Sequence, residues 1–260
     1  MKRHTLLASA SLILILTGCT ATTTDTTSPK AASVNFSSLL IDANRPAEDA
    51  KDDANRKPEA VMKFMGVSSG QTIFEMEAGG GYYTELFSRA VGTNGKVYMQ
   101  NPQGFDGFLG DADDKRLAEN RLPNVEYVRT QFDNLPAETA SVDIVSWFLG
   151  PHEIYFVPEG TEGFGDASKT YAEIARILKD DGVFIAIDHV APEGSGKQAG
   201  QDLHRIEQSI IVEEAKAVGL ELVESSQILE NLEDPLSISP FDPSVRRKTH
   251  RFLLKFKKSN

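Results

Sequence analysis

A doubly wound, mostly parallel α/β sheet of seven strands, with an antiparallel hairpin at its end, is the fold class this sequence predicts. Three observations point to it. From Thr72 onward, short β-rich runs alternate with helical ones. One run, residues 142–149 (VDIVSWFL), is almost continuously apolar, as suits a central parallel strand covered on both faces. The last two strand-like runs have no clear helical pattern between them, so they pair at the sheet's edge.

Each element follows from its own pattern. Residues 45–55 and Pro58–Met65 read as two short helices ahead of the sheet, with Pro58 suited to a first turn. Thr72–Met76 (TIFEM) is a buried strand. Residues 83–91 form a helix that puts Leu86, Phe87, Ala90 and Val91 on one side. Gly92 and Gly95 end it. Lys96–Gln100 (KVYMQ) is the second strand, residues 112–120 a mostly solvated helix, and residues 125–130 (VEYVRT) the third strand. After the fourth strand, residues 169–178 (KTYAEIARIL) are helical and are closed by Asp180, Asp181 and Gly182. Residues 183–188 (VFIAID) form the fifth strand. Residues 201–218 read as one long helix burying Leu203, Ile206, Ile210 and Ala217. Residues 220–224 and 250–256 are the final strands, joined by a loop rich in Pro and Ser.

The amino terminus has a separate character. A basic start, an apolar run over residues 6–16 and the small residues before Cys19 describe a secretory signal. The run is short for a permanent span. Leu16-Thr17-Gly18-Cys19 resembles the bacterial lipobox, and Cys19 is the only cysteine in the chain. The expected organisation is a signal over residues 1–18, a flexible tether over residues 19–43 and one domain over residues 44–260. Lipid on Cys19 would anchor the protein to the membrane. Thr20 after the cysteine favours the outer membrane, with the domain facing the periplasm. Without a second cysteine, stability rests on packing. The net charge of −11 argues against nucleic acid or an anionic lipid face as the main partner. The basic carboxyl-terminal stretch (VRRKTHRFLLKFKK) reads as an edge strand defended by lysines.

Three consecutive glycines, Gly79, Gly80 and Gly81, sit between the first strand and its helix. In an open parallel sheet, ligands bind there. Glycine lets backbone approach a ligand closely, and the helix start adds donors. The third glycine of a dinucleotide fingerprint is missing, and the Gly-Lys-Ser/Thr of a P-loop is absent.

What fits is a hydrophobic strand ending in an acid, Ile73-Phe74-Glu75, followed by Gly79-x-Gly81. This resembles motif I of the class I S-adenosylmethionine-dependent methyltransferases. The stretches RKPEAVMKFMGV, AGGGYYTELFSRAVG, GKVYMQNP, DHVAPEGSG, LHRIE and FDPSVRRKTHRFLLKF are similar to a bacterial group of exported methyltransferase-like proteins, from about Asn44 onward. The resemblance implies a Rossmann-like methyltransferase fold and S-adenosyl-L-methionine as cofactor. It implies that Gly79, Gly80 and Gly81 line the methionine part of that cofactor and that Glu75 supports the loop. Asn101 falls where an acid usually grips the ribose, and Asp133 falls beside the adenine. Glu77 stands in the place of the first motif glycine.

Methyl transfer needs an aligned acceptor and often a base. His152 follows the fourth strand, Asp188 and His189 close the fifth, and His204 and Arg205 lie just beyond. The first three are expected to converge at the crevice, with His204 and Arg205 covering it. Tyr155, Phe156 and Phe164, on the long loop after the fourth strand, are candidates to cap a small apolar substrate. The histidines and Asp188 are metal-ligand types, but their spacing matches no local zinc pattern and no cysteine remains to help, so no metal is expected. Two functions therefore stand: methyl transfer to a small-molecule or envelope acceptor, and a lipoprotein that keeps the fold to bind a small ligand without catalysis.

Overall fold

The computed structural model describes Met1 and residues 34–259. The signal-like segment, Cys19 and the first part of the expected tether lie outside the described residues. The strands are β1 (Thr72–Met76), β2 (Lys96–Gln100), β3 (Val125–Val128), β4 (Val142–Phe148), β5 (Leu178–His189), β6 (Leu220–Ser226) and β7 (Arg251–Lys258). They pair in the order β3-β2-β1-β4-β5-β7-β6. Pairing is parallel from β3 through β5 and antiparallel where β7 inserts between β5 and β6. The expected doubly wound sheet with a terminal hairpin is therefore observed.

The helices are α1 (Phe36–Leu40), α2 (Ala50–Arg56), α3 (Pro58–Met65), α4 (Tyr82–Val91), α5 (Asp106–Leu109), α6 (Ala112–Leu117), α7 (Ala167–Ile177), α8 (Gln198–Leu203) and α9 (Gln208–Ala217). The strand period of two divides the side chains of β1 between two cores. Ile73 packs with Leu86, Phe87 and Val91 of α4 on one side, while Phe74 and Met76 join Trp147, Tyr171 and Phe184 on the other. Each such side chain taken fully from water contributes about 1.5–3 kcal/mol. Asp166 caps α7 by accepting from the Lys169 amide at 3.0 Å.

Three expectations are corrected. The packed body begins before Asn44, because α1 buries Phe36 in the core it shares with α3 and α4. The strand β5 starts at Leu178, with no closing turn at residues 180–182. Leu178 already pairs with Val142, and a register shift between Val142 and Ile144 absorbs the extra residues. The single helix expected over residues 201–218 is two, α8 and α9. His204 ends α8 in the left-handed region at φ 51°, and Ile206 then pairs with Val190, its N–H donating to the His189 carbonyl at 2.9 Å. The loop between β6 and β7 is pinned by Asp234, whose Oδ2 accepts from the His250 amide at 2.6 Å. No described helix is long and apolar enough to cross a membrane.

Candidate functional site

β1 pairs with β2 on one side and β4 on the other, so its neighbouring loops part above its carboxyl end. The glycine turn stands at that fork. Gly79 and Gly81 both take left-handed φ angles, 57° and 78°. Their surroundings differ. A Cβ on Gly81 would lie 2.8 Å from Arg116 Cγ and 3.1 Å from Met99 Cε, and one on Gly80 3.2 Å from Ala112 Cβ. Those two glycines admit α6 and β2. A Cβ on Gly79 would meet nothing within 4 Å, so Gly79 is the one that faces open space.

The turn is held from behind. Asn101 accepts from the Gly79 N–H (2.8 Å) and donates to the Gly79 carbonyl (3.0 Å). The expected ribose ligand is thus turned onto the loop itself. Arg116 donates to the Gly80 carbonyl (2.9 Å), to both oxygens of buried Asp49 and to Glu85 Oε2 (3.2 Å). Glu75 accepts from Thr84 Oγ1 at 2.5 Å, and burial pushes its carboxyl up to about 8. That bond ties β1 to the first turn of α4. Asp133 accepts through Oδ2 from the Asp166 amide (3.1 Å), so it ties down the loop after β4. That loop folds back so that Phe164 stacks on Phe105, centroids 4.8 Å apart.

Glu77 follows β1 at φ 51°, a conformation that normally selects glycine. Its N–H donates to Gln100 Oε1 (2.9 Å), and its Oε2 accepts from the Trp147 indole (3.1 Å). Gly150 makes room for this: a Cβ there would fall 1.8 Å from Glu77 Oε2. Burial pushes the Glu77 carboxyl well above the usual range, and neighbouring Glu153 adds to the shift. Gln100 was not singled out by sequence; only its strand-end position hinted at it.

Beyond Gly150 a single helical turn, Pro151–Tyr155, carries His152 and Glu153. Asp188, fully buried at the end of β5, accepts from the His152 and His189 amides, both at 2.7 Å. Its carboxylate also meets His152 Nδ1 at 2.9 and 3.0 Å. His152 Nε2 lies 3.2 Å from Glu153 Oε1, and His204 Nδ1 lies 3.4 Å from the same oxygen. Burial opposes the His152 imidazolium, but Asp188 and Glu153 outweigh it and raise its pKa to about 10. For Glu153 the opposite balance holds: burial raises its pKa, yet His152 and His204 bring it to about 2.

The structure therefore brings His152, Asp188 and His204 together, with Glu153 as the member that sequence reasoning passed over. The His-Glu pair directly after β4 was the available signal. His189 stands beside the group, its ring 6.2 Å from that of His152, with Nδ1 paired to Thr249 Oγ1 (2.7 Å). Burial drives its pKa well below the usual value. Arg205 is corrected: it does not cover the crevice. It is fully buried, bonds both oxygens of Asp234 (2.9 and 3.0 Å) and donates to the Val190 and Ile238 carbonyls. Of the three loop aromatics, Phe156 lies against the His204 ring at 4.4 Å. Tyr155 donates to Glu214, and Phe164 packs into the core.

Comparison with known proteins agrees with this geometry. The chain is 27% identical over 128 residues to the ubiquinone/menaquinone biosynthesis C-methyltransferase UbiE of Marinomonas sp. (strain MWYL1), covering 49% of this chain and 46% of that one. It is 28% identical over 135 residues to the uncharacterized methyltransferase YcgJ of Bacillus subtilis (strain 168), covering 51% and 46%. The chain thus spans about half the length of these curated relatives. Among solved structures, a SAM-dependent methyltransferase from Aquifex aeolicus superposes with a TM-score of 0.58 at 17% identity, over 86% of this chain and 98% of that one. That likeness shows the shared fold. A profile of the ubiE/COQ5 methyltransferase family matches residues 53–204, more than half of the sequence, and the chain belongs to that family.

Proposed function

We propose that this chain is an S-adenosylmethionine-dependent methyltransferase acting on a small-molecule or envelope-associated acceptor. The observation that carries the reading is the fork above β1, where Gly79 leaves open space two residues after the buried carboxyl of Glu77. A sulfonium nucleoside carries positive charge at its methionine end, and a cation beside the buried Glu77 carboxyl would favour its ionised form over the neutral acid that burial selects. In this respect the residues fit S-adenosylmethionine, which is the cofactor. When bound, it supplies an electrophilic methyl group. Gly79 would give it close backbone approach and Glu77 would meet its positive charge; Trp147 holds the Glu77 carboxyl and Gly150 leaves room for it. Asn101 and Asp133 act on this side by holding the loops that frame the nucleoside. The acceptor enters over β4 and β5, where the His152–Asp188 pair, Glu153 and His204 form a polar wall able to orient it and receive its proton.

Calorimetric titration of the purified full-length chain with S-adenosylmethionine, and with its demethylated product, tests this. Saturable micromolar binding is expected, lost in Gly79→Arg while the circular dichroism of the fold is kept. Absence of binding in the parent chain would instead favour the ligand-binding lipoprotein without catalysis. The location belongs to the same proposal: lipid on Cys19 holds the domain at the outer membrane, facing the periplasm. Cys19→Ser should move the protein from the membrane to the soluble fraction on cell fractionation; retention in the membrane would remove the anchor from the reading.

A further inference from the structure

The group after β4 has a property that methyl transfer alone does not explain. Asp188 engages His152 through Nδ1, which leaves Nε2 as the outward-facing nitrogen. That nitrogen is 3.2 Å from Glu153 Oε1 but is not aligned with it as a hydrogen bond. His152 is 2% exposed, and among the described residues its Nε2 has no partner; neither has the second oxygen of Glu153, on a side chain 8% exposed. Buried polar atoms are rarely left unpaired in folded proteins. Here two occur on adjacent residues that, with His204, bound a space less than 4.8 Å across.

His204 closes that space. Its ring stands nearly perpendicular to that of His152, centroids 5.5 Å apart, between Phe156 and Phe241. The left-handed backbone at His204 holds the ring there, and the Arg205–Asp234 pair anchors the next residue. One donor atom each from His152, Glu153 and His204 lies within 4.8 Å of the others. Ligands about 2.0–2.1 Å from a tetrahedral zinc ion stand roughly 3.3 Å apart. The two contacts to Glu153 Oε1, 3.2 and 3.4 Å, match that spacing.

We propose that His152, Glu153 and His204 form a binding site for a divalent first-row transition cation, with Asp188 as the positioning residue for His152. Two imidazoles and one carboxylate are the donor set of catalytic zinc and of facial-triad sites. A carboxylate on the far nitrogen of a ligating histidine is the usual way such a ring is oriented. Three protein ligands leave a position for water or for an oxygen of the acceptor, so the site would favour acceptors with an oxygen donor. No local spacing encodes this site, because its three ligands come from a turn after β4 and a helix end about 50 residues later. The proposal does not depend on cofactor binding.

Zinc chloride, titrated calorimetrically into the chelator-treated, tag-free full-length chain, tests it, with cobalt(II) as a spectroscopic probe. One site per chain is expected, with visible cobalt bands of a nitrogen- and oxygen-ligated ion. His204→Asn, which tolerates the left-handed backbone, and Glu153→Gln should each weaken zinc at least tenfold with the fold retained by circular dichroism. Asp188→Asn should weaken it by about 10–100-fold. No saturable binding by the folded parent chain, or a loss below tenfold in either ligand variant, would overturn the site.

Discussion

The turn after β1 and the turn after β4 stand side by side over the carboxyl ends of the sheet, yet they treat their polar groups in opposite ways. In the glycine turn each named group has a protein partner. Asn101 takes both the N–H and the carbonyl of Gly79, Arg116 takes the Gly80 carbonyl, and Gln100 takes the Glu77 amide. In the turn after β4, His152 Nε2 and Glu153 Oε2 are buried with none. The first region is shaped by the protein for itself and offers an outline. The second holds unmet donors and acceptors, and a ligand would lower its free energy. Sequence motifs advertise the first kind of site, because glycines and strand-end acids have fixed spacing. The second kind arises only when the chain has folded.

The contrast can be broken most forcefully at Arg116. If the glycine turn is internally secured, Arg116→Met leaves buried Asp49 without its cation, while Glu85 keeps Arg89 and Arg121. Breaking such a pair costs about 3–5 kcal/mol, which urea unfolding reads directly. A loss under about 1 kcal/mol would show that the turn is held by other means.

Glu75 sharpens the same side through pH. Its pKa is pushed up from an ordinary 4.5 to about 8 by burial, so the folded chain keeps a proton that the unfolded chain releases. The stability it contributes is complete below about pH 4.5, declines as pH rises and is lost above about pH 8. Glu75→Gln cannot lose this proton. Its stability relative to the parent should rise by up to about 1.4 kcal/mol per pH unit across that window. Parallel unfolding midpoints for the two proteins from pH 5 to 8 would contradict it.

The smallest effect belongs to the other region. His204 is held near Glu153 at a strained backbone angle and is 20% exposed. In the presence of a chelator, His204→Asn gives up the ring's contacts with Phe156 and Phe241 but keeps the left-handed backbone, and should lower stability by about 1 kcal/mol. A drop of several kcal/mol would mean that the ring is a packing element, and the two regions would then differ less than described.

What the sequence made legible follows from the same distinction. β1 and β2 were read to the residue, because a buried strand between turns has its ends marked by its own composition. Gly79 and Gly81 were found by spacing, and His152, Asp188 and His204 by their places at strand and helix ends. Arg205 was misjudged because its partner Asp234 lies 29 residues on, in a loop without regular structure. The break between α8 and α9 was hidden for a related reason: Leu203, Ile206 and Ile210 keep helical spacing, but the bridge from Ile206 to Val190 overrides it. The role of Asn101 was also out of reach, since an amide that clamps a loop and one that grips a ribose look alike in a sequence.

The placement of β7 between β5 and β6 has a consequence for how the domain is made. Among the described residues β6 pairs with β7 alone, so when residues 220–226 leave the ribosome they have no strand to pair with. They must wait until residues 251–258 have been synthesised and slotted in beside β5. A chain stopped in the intervening loop would therefore lack two strands rather than one, and would expose the flank of β5 to any passing extended peptide.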